Sequence, residues 1–261
     1  MSEQIRFEDG AAYDVYMGRW SQLVGDAFLR WIDPPASARW LDVGCGNGAF
    51  TEIVAARAAP ASLTGVDPSN AQLAYARKVP GLARARFCQG DGMALPFRDR
   101  AFDAAVMPLV IFFLTDPSKG VAEMARVVRP GGIVSAYAWD MGGGGFPYAP
   151  LHVEMRAMEI AVPSAPSPDA ARMDSLRHLW TTAGLDHVSV HEIVVERTFD
   201  SVDTYWTTVL GAASVGKQLR ALTADTQSAL KERLRAQLRI EPDGRVTCRG
   251  RANCVRGLVD R

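Results

Sequence analysis

Three aspartates are spaced to do chemistry together: Asp42, Asp67 and Asp91 lie 25 and 24 positions apart. Each falls at or near the end of a short apolar run, within Arg39-Trp40-Leu41-Asp42-Val43-Gly44, Leu63-Thr64-Gly65-Val66-Asp67 and Phe87-Cys88-Gln89-Gly90-Asp91. A single acid at a strand end is commonplace, because loops are polar. Three in step with a repeating strand–helix unit point to one acidic rim. Such a rim suits a ligand that carries a sulfonium, an ammonium, ribose hydroxyls and an exocyclic amine. Beside the first acid stands Gly44-Cys45-Gly46-Asn47-Gly48. Glycines at alternate positions let the backbone turn sharply and approach a ligand without a Cβ in the way. The helix that follows turns unpaired N–H groups toward the same place.

The turn by itself fits two cofactors. Gly44-x-Gly46-x-x-Ala49 satisfies the relaxed dinucleotide fingerprint, with Asp67 near the distance expected of a ribose-binding acid. Two features weigh against a nicotinamide dinucleotide. Asp42 sits two residues before the first glycine, where it would repel a pyrophosphate, and the third strand also ends in an acid.

The elements that must position these groups alternate. Strands are predicted at 39–44, 62–67, 85–90, 102–106 and 133–138. Helices are predicted from Ala49 to Ala59, from a Ser69 cap to about Lys78, and from Asp116 or Ser118 to Val128, closed by Pro130-Gly131-Gly132. This order indicates right-handed βαβ crossovers and a parallel sheet, which binds ligands beyond the carboxyl ends of its strands. Residues 11–33 read as a helical lead-in in which Tyr13, Tyr16 and Trp20 share a face. Gly142 to Gly145 reads as a flexible loop, 187–199 and 245–259 as paired strands, and 202–213 and 224–238 as helices between them.

Composition narrows the classes. Lysine plus arginine equals aspartate plus glutamate at 29 each, which argues against a nucleic-acid partner. The four cysteines form no CxxC pair, so no metal site is expected and reduced thiols in a cytoplasmic protein fit best. The longest apolar run, Ala104 to Leu114, contains a proline and is too short to span a bilayer.

Five segments carry a resemblance: Leu41-Asp42-Val43-Gly44-Cys45-Gly46-Asn47-Gly48, Gly65-Val66-Asp67-Pro68-Ser69, Gln89 through Phe97, Phe102-Asp103 and Arg129-Pro130-Gly131-Gly132. In this order they resemble the class I S-adenosylmethionine-dependent methyltransferases, in the branch similar to the ubiquinone and menaquinone biosynthesis enzymes. The resemblance covers roughly residues 38–140. It implies a doubly wound, Rossmann-like α/β fold with a mostly parallel seven-stranded sheet whose last strand is antiparallel. A helical lid would precede the sheet, and a helical insert would precede the last strand. One methyltransferase domain is expected over 1–261, divided into a helical cap (1–36), a cofactor-binding core (37–140) and substrate-side elements (141–261).

The resemblance also implies roles for residues. The backbone at Gly44, Cys45 and Gly46 lines the methionine part of the cofactor, with Asp42 near its ammonium group. Asp67 accepts from both ribose hydroxyls. Pro68 packs on the adenine, Asp91 accepts from its amine, and the backbone at Gly92 and Met93 meets the ring edge. Met107-Pro108-Leu109 passes under the sulfonium. Apart from the resemblance, the shared face of the lead-in helix has two accounts: it packs against the domain, or it forms a lid over the cofactor with Tyr16 and Arg19, Arg19 then pairing with the cofactor's carboxylate.

The acceptor is expected to be a small molecule, and the protein a monomer or homodimer. Many relatives carry histidine soon after the fourth strand, whereas Ile111-Phe112-Phe113 stands here, making an apolar wall if it faces the acceptor. The signature of amino-group methylation on adenine or glutamine is missing, because Met107-Pro108-Leu109-Val110 occupies its place. Tyr16, Asp140 and His152 are the foremost candidates for a general base, followed by Tyr13, His187 and His191. An NAD-dependent oxidoreductase and a non-catalytic S-adenosylmethionine-binding protein stand as the alternatives.

Overall fold

A computed structural model describes residues 14–34, 36–212 and 215–260. Tyr13 and the rest of the cap before it therefore lie outside the described residues. After one π-helical turn, Asp14–Gly18, the elements are α1 (Arg19–Ile32), β1 (Arg39–Val43), α2 (Ala49–Arg57), β2 (Ser62–Asp67), α3 (Asn70–Ala76), β3 (Arg86–Gln89), β4 (Phe102–Pro108), α4 (Pro117–Val127) and β5 (Val128–Trp139). Then come α5 (Ala149–Ala157), α6 (Met173–Thr182), β6 (Leu185–Phe199), α7 (Val202–Leu210), α8 (Gly216–Arg220), α9 (Ala224–Gln237), β7 (Arg239–Ile240) and β8 (Val246–Val259).

The sheet order is β3-β2-β1-β4-β5-β8-β6. Strands β1 to β5 pair in parallel, and β8 runs antiparallel between β5 and β6. The expected mostly parallel, doubly wound sheet with an antiparallel last strand is present. One strand beyond the expected seven occurs, because the two-residue β7 pairs with the start of β8 through a turn at 241–245 that places Gly244 at φ 88°. Strand order reverses between β1 and β4, so a crevice opens beyond their carboxyl ends.

Period-2 alternation divides the core between the two faces of the sheet. Trp40, Ala104, Val106, Tyr137 and Trp139 point to one face, where α1 packs through Trp20, Val24 and Phe28. Leu41, Ala105, Met107, Ala136 and Ala138 point to the other, against α4 and α6 with Met124 and Trp180. The helix starts follow the expected chemistry. The Ser69 hydroxyl accepts from the Gln72 N–H at 3.4 Å, and Asp116 accepts from the Lys119 N–H at 3.0 Å with Pro117 at the first helical position.

Two expectations change. Pro130-Gly131-Gly132 does not separate α4 from the fifth strand. Val128 already pairs with Phe102, and pairing resumes at Ile133 with Ala104, so the breaker residues form an irregularity within β5. The stretch Gly142 to Gly145 is also a braced turn. The Asp140 carboxylate accepts from the Gly143 N–H at 3.0 Å and ion-pairs with Arg251, whose own N–H donates to the Gly145 carbonyl at 2.8 Å.

Candidate active site

A cavity of about 840 Å3 lies beyond the carboxyl ends of β1, β2 and β4. Ligand clefts commonly hold roughly 300–1,000 Å3, so there is room for a nucleoside-sized molecule and a second small one. Its two halves are built differently.

The first half comes from the strand-end loops. The N–H groups of Gly44 and Cys45 donate to the Val66 carbonyl at 2.7 and 3.1 Å, tying the turn after β1 to β2. Gly44, Gly46 and Gly48 all adopt positive φ, at 73°, 53° and 89°. Their reasons differ. A Cβ on Gly44 would meet Val110 Cγ2 at 2.5 Å and one on Gly48 would meet Leu82 Cδ1 at 2.5 Å, whereas one on Gly46 would enter open space. Gly46 is thus the glycine that turns bare backbone to the cavity.

Asp67, 9% exposed, holds this arrangement together. Its Oδ2 accepts from the Gly46 N–H at 2.9 Å and its Oδ1 from the Ser69 N–H at 2.8 Å. Burial raises its pKa, and these two N–H groups oppose the rise. A carboxylate oxygen has about two acceptor sites, so each retains one toward the cavity. The site therefore fits a vicinal diol, and the ribose implied by the resemblance is one. Pro68, Asp91, Gly92 and Met93 continue this wall, with Asp91 exposed and accepting from the Met93 N–H at 2.9 Å.

Asp42 is placed differently from the expectation. It is completely buried, outside the cavity lining, and accepts from the Thr51 hydroxyl at 2.6 Å. The acidic rim facing the cavity consists of Asp67 and Asp91. The other oxygen of Asp42 is buried without a hydrogen-bond partner among the described residues. Burial pushes the carboxyl up to about 7, the Thr51 hydroxyl opposes this, and the charge of Asp67 adds to it.

The folded protein thus keeps a proton on Asp42 that an unfolded chain, with a carboxyl near 3.8, releases. Stability from this group is greatest near pH 4 and falls as pH rises to 7, by up to about 4 kcal/mol. Asp42→Asn, which mimics the protonated form, is expected to flatten that part of the profile. Urea unfolding at pH 5 and pH 8 checks this; equal slopes in both proteins would remove Asp42 as its source.

Met107 and Arg19 also face elsewhere. Met107 is fully buried, because strand alternation sends its side chain to the α4 face, while Pro108 and Leu109 line the cavity. Arg19 is exposed and outside the lining. Where α1 begins after the π-helical turn Asp14–Gly18, Tyr16 and Trp20 are buried on the inner side and Arg19 lies on the outer side.

The second half of the cavity is largely apolar. Phe112 and Phe113 line it, with Trp139, Met141, Phe146 and the proline-rich segment 163–168. Tyr16, 2% exposed, stacks on Tyr148 with ring centroids 4.3 Å apart. The Tyr148 hydroxyl accepts from Trp20 Nε1 at 3.1 Å and donates to the Tyr16 carbonyl at 2.9 Å.

Of the foremost base candidates, Tyr16 and His152 line the cavity. Asp140 does not, since it is paired with Arg251 in the turn after β5. His187 and His191 are exposed on β6, where His191 stacks on Trp31 at 5.4 Å. His152 stacks on Phe146 at 5.0 Å, and burial together with the charge of Arg156 lowers its pKa to about 4. It is neutral at pH 7. Tyr205 and Trp206, on the first helix of the insert before the last strand, are buried core residues.

Sequence reading missed Arg156, which joins His152 on the cavity wall. The signal was their i, i+4 spacing in a helix beginning soon after Pro147.

Residues 41–136 match a family described as a methyltransferase domain. A fatty-acid O-methyltransferase of Mycolicibacterium smegmatis is 38% identical over 101 residues, covering 36% of this chain and 34% of the relative. A demethylmenaquinone methyltransferase of Renibacterium salmoninarum is 34% identical over 158 residues, covering 58% and 62% respectively. The chain thus spans less than two thirds of the length of either. Among solved structures, the YcgJ protein of Bacillus subtilis superposes with a TM-score of 0.59 at 16% identity, covering 93% of this chain and 99% of that one. Phosphoethanolamine N-methyltransferase 2 of Haemonchus contortus, in complex with S-adenosyl-L-methionine, gives 0.60 at 18% identity, covering 96% and 56%. At these identities the superpositions show the fold alone.

Proposed function

We infer that this chain, which carries a class I methyltransferase domain of the kind that uses S-adenosylmethionine, transfers a methyl group from that cofactor to a small molecule. The observation that carries the reading is one cavity with two unlike halves: the open Gly46 backbone beside the Asp67 carboxylate, facing an apolar chamber. The cofactor supplies an activated methyl on a sulfonium. The chain's part is to bind, align and exclude water, because in-line displacement at carbon requires little else. Gly44, Cys45 and Gly46 hold the methionine portion, Asp67 the ribose diol, and Pro68, Asp91, Gly92 and Met93 the adenine. Tyr16 closes the cavity from the lead-in side. The relatives are named for different acceptors, including a fatty acid and demethylmenaquinone, which supports a small molecule without selecting one. Four free cysteines, three of them buried, and balanced charge suit a cytoplasmic protein that does not bind nucleic acid. No described helix is long and apolar enough to cross a membrane.

The test is calorimetric titration of the full chain with S-adenosylhomocysteine and, separately, NADH. Binding of the first and not the second is expected. NADH binding without a response to S-adenosylhomocysteine would overturn the reading and favour the oxidoreductase. Methyl transfer to a member of an acceptor panel excludes the non-catalytic alternative.

A further inference from the structure

Arg156 is the one permanently charged cation among the described residues lining the cavity. It has no carboxylate partner among the described residues; its near neighbour in sequence, Glu154, is buried and taken by Arg233 Nε at 2.7 Å. Arg156 is solvent-exposed where it joins the lining, and at the edge of a chamber walled by Phe112, Phe113 and Phe146 it is available for an anion that the chamber itself does not supply. One turn earlier on the same helix face, His152 Nε2 is buried without a hydrogen-bond partner, a group left costly unless a ligand completes it. The chemistry of the acceptor half is thus an apolar body with one anionic oxygen group.

Resting on the function proposed above, we propose that the methyl acceptor is an apolar carboxylic acid, held as its carboxylate by Arg156 and His152 and converted to its methyl ester. One carboxylate oxygen donates an electron pair to form the new O–CH3 bond, the S–CH3 bond breaks, and its pair remains on sulfur. The carboxylate and the sulfonium become a neutral ester and a neutral thioether, and no proton moves. Two features of the site accord with this step. Opposite charges are neutralised on the way to the transition state, which a largely apolar chamber favours. The acceptor needs no base, and His152 is held neutral by its surroundings, while Asp140, the acid directly after β5, is committed to Arg251.

The test uses the full chain loaded with S-adenosylhomocysteine. Straight-chain acids of six to fourteen carbons, cinnamate, and the primary amides of each are titrated by calorimetry and thermal shift. At least one acid is expected to bind ten times more tightly than its amide. Arg156→Gln should cost that acid tenfold or more while S-adenosylhomocysteine affinity stays within twofold, and Arg156→Lys should recover part of the loss. With labelled S-adenosylmethionine the product should be an alkali-labile methyl ester. If S-adenosylhomocysteine does not bind, the underlying function falls. If it binds and no acid outcompetes its amide, or Arg156→Gln weakens S-adenosylhomocysteine instead, or the label resists alkali, only the acceptor assignment is overturned.

Discussion

Asp67→Ala is expected to weaken S-adenosylhomocysteine binding by more than tenfold, and on the order of a hundredfold if both ribose bonds are lost. Hydrogen bonds to a charged partner contribute roughly 1.5–3 kcal/mol each, and 1.4 kcal/mol is a factor of ten. The same carboxylate fastens the Gly46 and Ser69 N–H groups, so alanine would also release the two loops that form the cavity wall. Asp67→Asn separates the two effects only in part. Its amide nitrogen would oppose one of those donors, so it too should bind weakly, although the side chain has nearly the same shape. Calorimetry on each variant, with circular dichroism to confirm folding, checks the prediction. An affinity within threefold of the parent would remove Asp67 from the site.

Gly46→Ala should separate binding from folding more cleanly. Its φ of 53° makes any Cβ cost about 1–2 kcal/mol, which for a chain of this size lowers the melting temperature by several degrees. The added methyl touches no protein atom within 4 Å, and it projects where the cofactor's methionine portion is proposed to lie. A folded protein with at least tenfold weaker S-adenosylhomocysteine binding is therefore expected. Gly44→Ala is the contrasting variant. Its Cβ collides with Val110 Cγ2 at 2.5 Å, so folding itself should suffer. Should Gly46→Ala bind as the parent does, the turn would be structural and the cofactor would lie elsewhere in the cavity.

These variants test the half of the site that was legible beforehand. Each cofactor-side group sits at the last residue of a strand or in the loop directly after it, so its position follows from where that strand ends. Gly44 to Gly48, Asp67 with Pro68, and Asp91 to Met93 are short contiguous segments, and the alternation of strand and helix brings their loops to one edge of the sheet. Asp42 shows the limit of that reasoning. It stands one residue before the end of β1, and its side chain points into the protein to meet Thr51 on α2. Met107 departs for the same reason, since alternation along β4 turns it away from the crevice. A one-residue shift along a strand changes which face a side chain meets.

The acceptor half depended on packing between distant segments. Tyr16 meets Tyr148 across 132 positions through the hydroxyl bond to its carbonyl, and Phe112, Phe146 and the α5 pair His152 and Arg156 arrive from separate parts of the chain. Only His152 and Arg156 are joined by local periodicity, four residues apart on α5. The ion pair that draws Asp140 into the turn after β5 is likewise a contact between segments far apart in sequence. The sequence by itself determined the sheet, its crevice and the glycine and aspartate groups along it, because strand ends and tight turns are local properties of the chain. Only the tertiary structure decided which of the remaining side chains face the cavity, because that depends on how helices far apart in sequence rotate and dock.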